Sequence, residues 1–391
     1  MENKVRVAVS SAGGYGYYYL RSLLDEEIRT DFEIVSVFDP NIRSLPVFKE
    51  LNDRHIPTFS DYDHFLKTLD NADLAVIVSP IHFHASQTVD ALKRGCNVLL
   101  DKPLAGNCEQ AEEISSELSD SNNWIMLGYQ WTFSDSIQTL KKDLVNKRFG
   151  DILKAKTLVF WPRGYDYYER NNWAGIAKTV NGQVVNDSLL NNAMAHFLHN
   201  LLYLCGDEQD NAAEPISGTA ELYRAYQIET FDTAILHLKT KQGPKIGFYG
   251  SHVTKNPKGP LFLIECADAA IYYGELSNEI VAVMNDGQTE TYGDPESTDQ
   301  FNKLWVAIDR CKGIDGYKCT FNAAIEQTKL VDALAKQADV VSFCEEHVKN
   351  IIGERRFVDG LGYMLLSSYQ QWALPSEQKF TIKGTKQSIT I

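Results

Sequence analysis

The tripeptide Asp101-Lys102-Pro103 closes a short apolar run, Val98-Leu99-Leu100. Proline fixes its own φ and keeps the preceding residue extended, so no helix begins before it. Lys102 is thereby presented on a rigid turn at the carboxyl end of a buried strand, the edge at which open α/β sheets bind ligands. A lysine there can hold a hydroxyl and pass a proton. An isolated Lys-Pro would read as solvated surface; its surroundings raise this one. Val5 to Ser10 reads as a strand and runs into Ser11-Ala12-Gly13-Gly14-Tyr15-Gly16, followed by a helical pattern from Tyr17 to about Glu27. This is G-x-G-x-x-G with Ser11 in place of the first glycine. Gly13 would let a pyrophosphate approach the backbone, and Gly16 would allow close helix–strand packing. The helix N-terminus offers free N–H groups and a favourable dipole to phosphates. The second strand, Glu33 to Phe38, ends in Asp39, 23 residues beyond Gly16. An acid there accepts hydrogen bonds from a ribose diol and repels a 2′-phosphate, which favours NAD over NADP.

Further side chains fall into place around these. Ser79-Pro80 and His82-x-His84 follow the strand Leu74 to Val78 and are placed to meet cofactor or substrate, although loop histidines are more often structural. Tyr15 is placed to pack over the cofactor. The run from Trp161 to Trp173 is dense in aromatic, amide and guanidinium groups, including Trp161, Arg163, Tyr168, Asn171 and Trp173. Rings stack on sugar C–H faces while Arg and Asn bind hydroxyls, so the run reads as a carbohydrate-facing loop, with packing on a sheet or a neighbouring subunit as the competing reading. His196 and His199 share a helix face at i, i+3. With no third ligand nearby, two packed or solvent-capped histidines are the default and no metal is expected.

Alternating strands and helices position these groups. Helices are expected over Asp61–Leu69 with Ser60 as N-cap, from about Ala85 to Arg94, and over Cys108–Ser119 begun by Asn107. A further strand is expected over Trp124–Leu127. The order implies an α/β fold: a doubly wound parallel Rossmann sheet over residues 1–127. Beyond Gly128 the pattern changes. A helix from Asp135 to Asn146 precedes alternating segments at Ile152–Trp161, Ser217–Ile228, Ala234–Thr240, Lys245–Ser251, Leu261–Cys266 and Ala269–Gly274. Period-2 patterning with short connections predicts a second, α+β domain over 128–391. Its large, open, mainly antiparallel sheet would be half covered by a helix over Leu189–Leu204, with the bare face serving assembly. Phe357 to Trp372 reads as an amphipathic helix able to pack back on the first domain or on a partner.

Composition narrows the functional classes. At 391 residues the chain is too long for one ordinary core. A formal charge of -14 argues against nucleic acid or an anionic membrane as partner, since both require a basic face. Seven scattered cysteines without a CxxC pair indicate neither a disulfide framework nor a thiolate metal site. With no long apolar run near its start or elsewhere, the chain is expected to be cytoplasmic.

Together the glycine turn, Asp39, Ser79-Pro80-x-His82-x-His84, Gly95-Cys96-Asn97-Val98 and Asp101-Lys102-Pro103-Leu104 resemble the glucose–fructose oxidoreductase / inositol dehydrogenase / rhizopine-catabolism family. That family usually writes the catalytic turn Glu-Lys-Pro, where this chain has Asp101. Gly128-Tyr129-Gln130-x-x-Phe133-Ser134 resembles the family's crossover into its second domain, and Asn192-Ala193-Met194-Ala195-His196 its D-x-G-x-H helix, with Asn192 at the aspartate position. The resemblance implies NAD(P)-dependent oxidation or reduction of a carbinol on a sugar, glycoside or cyclitol by a homodimer or homotetramer built through the second sheet. It assigns His196 as general acid/base, Lys102 as electrostatic clamp and Asn192 as an orienting amide, which cannot ionise. Ser11, Gly13, Gly14, Tyr15, Gly16, Asp39, Ser79, Pro80, His84, Asp101 and Lys102 would then meet the cofactor. Tyr129, Gln130, Trp161, Arg163, Tyr168, Asn171, Trp173 and His199 would meet the substrate. Two other readings stay open: glycoside cleavage by transient oxidation with the cofactor retained, and a non-catalytic nucleotide-sensing regulator.

Overall fold

The structure, a computed structural model, describes residues 4–391 apart from Glu26, Leu276, Thr381 and Lys383. The chain forms two compact units, Met1–Phe133 with Asp299–Phe321, and Ser134–Thr298 with Asn322–Ile391.

In the first unit the elements run β1 (Val5–Ser10), α1 (Tyr15–Leu24), β2 (Phe32–Phe38), α2 (Phe48–Asp53), β3 (Thr58–Phe59), α3 (Tyr62–Leu66), β4 (Leu74–Ile77), α4 (His84–Lys93), β5 (Asn97–Leu100), α5 (Cys108–Asp120) and β6 (Ile125–Leu127). The sheet order is β3-β2-β1-β4-β5-β6, with every described pairing parallel. All of β4 and most of β5 are buried, as expected of parallel strands covered on both faces. The strand order reverses between β1 and β4. This switch point gathers the glycine turn after β1, Ser79-Pro80 after β4 and the Lys102 turn after neighbouring β5 at one sheet edge. Asn107 caps α5 through the Gln110 N–H, as expected. Asp61, rather than Ser60, caps α3 by accepting from His64 N–H, so that helix is shorter than its sequence pattern.

The second unit holds α6 (Asp135–Val145), β7 (Ile152–Phe160), the short α7 (Tyr165–Tyr168), α8 (Ala195–Leu204), β8 (Pro215–Arg224), β9 (Thr233–Thr240), β10 (Lys245–Ser251), β11 (Lys258–Cys266), β12 (Ala269–Tyr273), β13 (Ile280–Met284) and β14 (Thr289–Gly293). The chain then supplies α9 (Asn302–Cys311) to the first unit and returns with α10 (Phe321–Gln337), β15 (Val340–Ser342), the hairpin β16 (Val348–Ile351)–β17 (Arg355–Val358), α11 (Leu361–Gln371) and β18 (Gln387–Thr390). The sheet reads β14-β13-β12-β11-β7-β10-β9-β8-β15, with β18 also on β8. It is mostly antiparallel, with parallel pairs at β7–β10 and β8–β15.

Both faces of the sheet centre are covered. A Cβ at Gly250 would lie 2.9 Å from Met194 Sδ on the α8 face, and one at Gly247 would lie 3.1 Å from the Trp372 ring on the other. The second cover is α11. Its Leu361, Met364, Leu365, Ser368 and Tyr369 are buried at helical spacing, the four apolar ones in one core with Leu158, Tyr249 and Leu261 of the sheet. The helix expected from Phe357 therefore starts at Leu361, after a strand, and it belongs to the second unit. It also closes much of the sheet face that the sequence leaves open for assembly. Likewise α8 starts at Ala195 rather than Leu189. The Asn191 and Asn192 N–H groups both turn back to Ser188 O, and the Asn191 amide donates to Val185 O. Such local amide bonds compete with a helix. The far end of α8 is held by Lys141, whose buried ammonium donates to Tyr203 O, Gly206 O and Asn211 O. Among the described residues no helix is long and apolar enough to cross a membrane.

Leu365 is fully buried, whereas Tyr363 on the same helix is 75% exposed. Leu365→Ala should cost about 2–5 kcal/mol, and Tyr363→Ala should stay within about 0.5 kcal/mol. Urea unfolding of the two variants checks the placement of α11.

Candidate active site

The glycine turn is built for close approach. A Cβ at Gly16 would lie 2.3 Å from Ser11 O, so only glycine lets α1 start this near β1. Gly14 takes φ 56° at the helix N-cap, and among the described residues no side chain caps the first N–H groups of α1. Ser11, standing where a glycine is usual, adopts φ 83°, a conformation that costs a non-glycine residue about 1 kcal/mol or more. Asp39 holds the turn. Its Oδ2 accepts from the Ala12 and Gly13 N–H groups, both at 3.0 Å, and its Oδ1 from Asn41 N–H at 2.8 Å. Carboxylate oxygens have two lone pairs each, so these bonds leave Oδ1 able to accept again. Across the switch point, Ser79 Oγ is buried without a hydrogen-bond partner among the described residues. An open helix N-terminus, a turn that excludes Cβ atoms and an orphaned hydroxyl at the same sheet edge fit a dinucleotide.

Around the Lys102 turn the structure adds a residue that the sequence reading missed. Lys303, on α9, is fully buried. Its Nζ donates to Asp101 Oδ1 at 3.0 Å and to Gly128 O at 3.1 Å, and lies 5.2 and 5.0 Å from the Tyr15 and Tyr19 ring centroids. Tyr19 Oη donates to the same Asp101 oxygen at 2.9 Å. A Cβ at Gly128 would fall 2.5 Å from that oxygen. Burial and the Asp101 charge push the Tyr19 hydroxyl well above its usual range. One ammonium thus ties together the glycine turn through Tyr15, the Asp101 turn and the crossover at Gly128. Lys102 itself is half-buried and joined to Pro103 by a cis peptide bond.

His84, expected at the cofactor, is instead a buried strut. Its Nδ1 lies 2.7 Å from Pro103 O and its Nε2 2.8 Å from Ser79 O. Burial lowers its pKa, against two carbonyl neighbours that favour the protonated ring. Tyr129, expected at the substrate, is 1% exposed and lies in the core, while Gln130 is half-buried.

In the second unit, every residue from Val185 to Gly206 is buried except Asn192, in the turn before α8, and His196, in the first turn of α8. Asn191 is turned inward, which settles which of the two adjacent amides faces out. The carboxylate missing at position 192 is supplied from nearby: Asn192 Nδ2 donates to Asp187 Oδ1 at 2.6 Å. Asp187 is buried, and its other oxygen takes Gly175 N–H at 2.7 Å and Arg170 Nη2 at 3.2 Å. Asp187 stands five residues before Asn192, visible in the sequence, but only the turn at Ser188 folds it back. His199, expected at the substrate, is buried and stacks on Tyr203 at 6.0 Å, and burial with the Lys141 charge lowers it to about 3. It is a core residue. Among the described residues no group of three or more His, Cys, Asp or Glu side chains could hold a metal ion.

The aromatic run assembles beside this pair as a ladder. The Arg163 guanidinium lies 4.1 Å from the Trp161 ring centroid and 4.9 Å from that of Tyr167; Arg170 lies 4.0 Å from Tyr167 and 5.1 Å from Trp173. Trp161 meets Phe197, next to His196, at 6.0 Å, and Arg170 shares Asp187 with Asn192. Tyr168 Oη bonds His252 Nδ1 at 3.0 Å, and Asn171 Oδ1 accepts from Trp173 N–H at 3.0 Å. Trp161, Arg163 and Trp173 are thus brought towards the Asn192–His196 turn; the Tyr168 hydroxyl and Asn171 Oδ1 support the ladder.

Comparison with known proteins bears on the first unit and on the fold. Residues 5–129 match the family described as oxidoreductase family, NAD-binding Rossmann fold, with the glucose–fructose oxidoreductase, inositol dehydrogenase and rhizopine-catabolism proteins. The match takes in about a third of the chain and gives its first unit the NAD-binding Rossmann fold. Particular relatives include scyllo-inositol 2-dehydrogenase (NAD(+)) of Bacillus subtilis, 25% identical over 143 residues, covering 36% of this chain and 40% of the relative. D-glucoside 3-dehydrogenase of Escherichia coli is 26% identical over 153 residues, covering 38% and 41%. The chain therefore spans about 40% of the length of these curated relatives. Similar solved structures include the WlbA dehydrogenase from Bordetella pertussis in complex with NADH and UDP-GlcNAcA, with TM-score 0.68, 18% identity, and coverage of 85% of this chain and 96% of that one. The myo-inositol 2-dehydrogenase from Lactobacillus plantarum follows at TM-score 0.65 and 16% identity, covering 85% and 97%. These likenesses are of fold.

Lys303→Met leaves Asp101 buried without its counter-ion and should cost about 3–5 kcal/mol, since removing one partner strands the other charge. The double change Asp101→Asn with Lys303→Met should recover part of that loss. Denaturant midpoints of the two variants measure it.

Proposed function

We propose that the protein is an NAD-dependent dehydrogenase acting on a carbinol of a sugar, glycoside or cyclitol. The observation that carries the reading is the pair Asn192–His196, the two surface-reaching residues in an otherwise buried segment, on a chain whose other unit is an NAD-binding domain. The names of the relatives, which act on inositols and glucosides, support the substrate class.

When bound, NAD supplies the hydride acceptor. The chain's residues do the rest. His196 takes the hydroxyl proton as general base and returns it in the reverse direction. Lys102, an ammonium at the sheet edge, holds the oxygen as negative charge develops on it. Asn192 is fixed by its bond to Asp187, which sets which end of the amide turns away towards a substrate hydroxyl. Asp39 disfavours a 2′-phosphate, so NAD is preferred over NADP. A second copy of the chain is the partner suited to the part-exposed row Leu263, Tyr272 and Val281 on the outer strands of the large sheet.

Purified protein mixed with NAD and a panel of inositols, sugars and glycosides should raise the reduced-nicotinamide absorbance with at least one member. Lys102→Ala and His196→Ala should each lower kcat by about 10²–10⁴-fold, the range for positioned acid–base groups. No absorbance change with any member, or full activity in both variants, would refute the reading.

A further inference from the structure

Arginines already cover ring faces that a neutral sugar would stack on. Arg163 covers Trp161, Arg163 and Arg170 both stack on Tyr167, and Arg170 reaches Trp173. A ring face that holds a guanidinium fixes the plane of its fork and directs the N–H edges outward. The two arginines then differ. Arg170 has a carboxylate partner in Asp187. Arg163, half-buried, has none at ion-pair distance among the described residues, and its Nε is packed away without a hydrogen-bond partner. Asp166, the nearest acid in sequence, is exposed; its charge favours the guanidinium, but among the described residues the two are not at ion-pair distance.

The backbone holds Arg163 where it is. Beyond the ends of β7 and β10 the parallel pairing continues, with Trp161 N–H donating to Ser251 O at 3.0 Å and Arg163 N–H to His252 O at 2.9 Å. Arg163 O in turn accepts from Tyr226 Oη at 2.8 Å. The cation therefore sits on a rigid strand extension, one ring away from Phe197 and the His196 turn. Neutral sugars are commonly held by carboxylates that accept their hydroxyl hydrogens. Here the carboxylate beside Asn192 is buried and already bonded to Gly175, Arg170 and Asn192.

Resting on the dehydrogenase reading, we infer that the substrate is a sugar or cyclitol bearing an oxyanion, a carboxylate or phosphate, which the stacked Arg163 guanidinium receives. A planar fork with no carboxylate at ion-pair distance is the group that binds such oxyanions through paired, charge-assisted hydrogen bonds. Arg163 is then the residue that sets specificity, and the oxidised hydroxyl belongs to the same molecule.

The test uses the whole protein saturated with NADH and three matched ligands: glucose, glucuronate and glucose 6-phosphate. Binding is measured by calorimetry and turnover, with NAD, by absorbance. At least one anionic ligand should bind about 10- to 100-fold more tightly than glucose, the range for a hydrogen bond to a charged group. Arg163→Gln should abolish that preference and Arg163→Lys should keep part of it, with thermal unfolding and NADH affinity showing that both variants are folded. Glucuronate against glucose 6-phosphate tells carboxylate from phosphate. Equal binding of all three, binding of none, or a preference that survives Arg163→Gln would overturn the inference. An anionic preference without any turnover would count against the dehydrogenase reading alone.

Discussion

A lysine ammonium buried in a protein core is costly unless its charge and its N–H groups are answered, and Lys303 is answered by three segments that meet nowhere else in the sequence. Asp101 supplies the counter-charge, Gly128 a carbonyl, and Tyr15 and Tyr19 their ring faces. The strand-end turn that carries Lys102, the helix that opens the cofactor turn, and the point where the chain leaves the first unit are therefore fixed relative to one another by one side chain. The constraint explains local choices. Position 128 must be glycine because a Cβ would strike Asp101 Oδ1, and the chain must come back to the first unit after the second, since Lys303 lies 202 residues beyond its partner.

The second unit uses the opposite charge for a similar purpose. Asp187 is buried under the Asn192–His196 turn and collects Gly175 N–H, Arg170 and Asn192. It restores a carboxylate to a segment whose own aspartate position holds an amide, but one step removed: it orients Asn192 and does not itself reach the surface. The same carboxylate neutralises Arg170 and leaves Arg163 as the uncompensated cation of the ladder. Two buried acids, one in each unit, thus organise the groups proposed to act on the substrate.

Much of the first unit was legible because its signals are local. A strand, a glycine turn, a helix and an acid at fixed spacing lie within forty residues, and the structure keeps each in place. Lys303 was not legible, because what makes it special is a partner far along the chain; its only mark is a lysine among the buried positions Leu304, Ala307 and Ile308 of its helix. Asn192 and His196 could be matched to a family pattern, yet Asp187 could not be joined to them without the turn at Ser188. His84 and His199 show the converse. Both stand at plausible spacing, and both prove to be buried, where packing rather than ligand contact uses them. The amphipathic pattern of α11 was readable, but not which face it covers, since periodicity gives a helix its apolar stripe and says nothing of where that stripe docks.

Lys102 is proposed to meet the cofactor, and Lys303 is buried in the core against the same turn, and lysine acetylation followed by mass spectrometry reads both at once. The protein is treated briefly with acetic anhydride in the presence and absence of saturating NADH. Lys102 should be labelled in the free protein and protected by NADH, while Lys303 stays unlabelled in both. Labelling of Lys102 that NADH does not change, or labelling of Lys303 as readily as a surface lysine, would contradict the account.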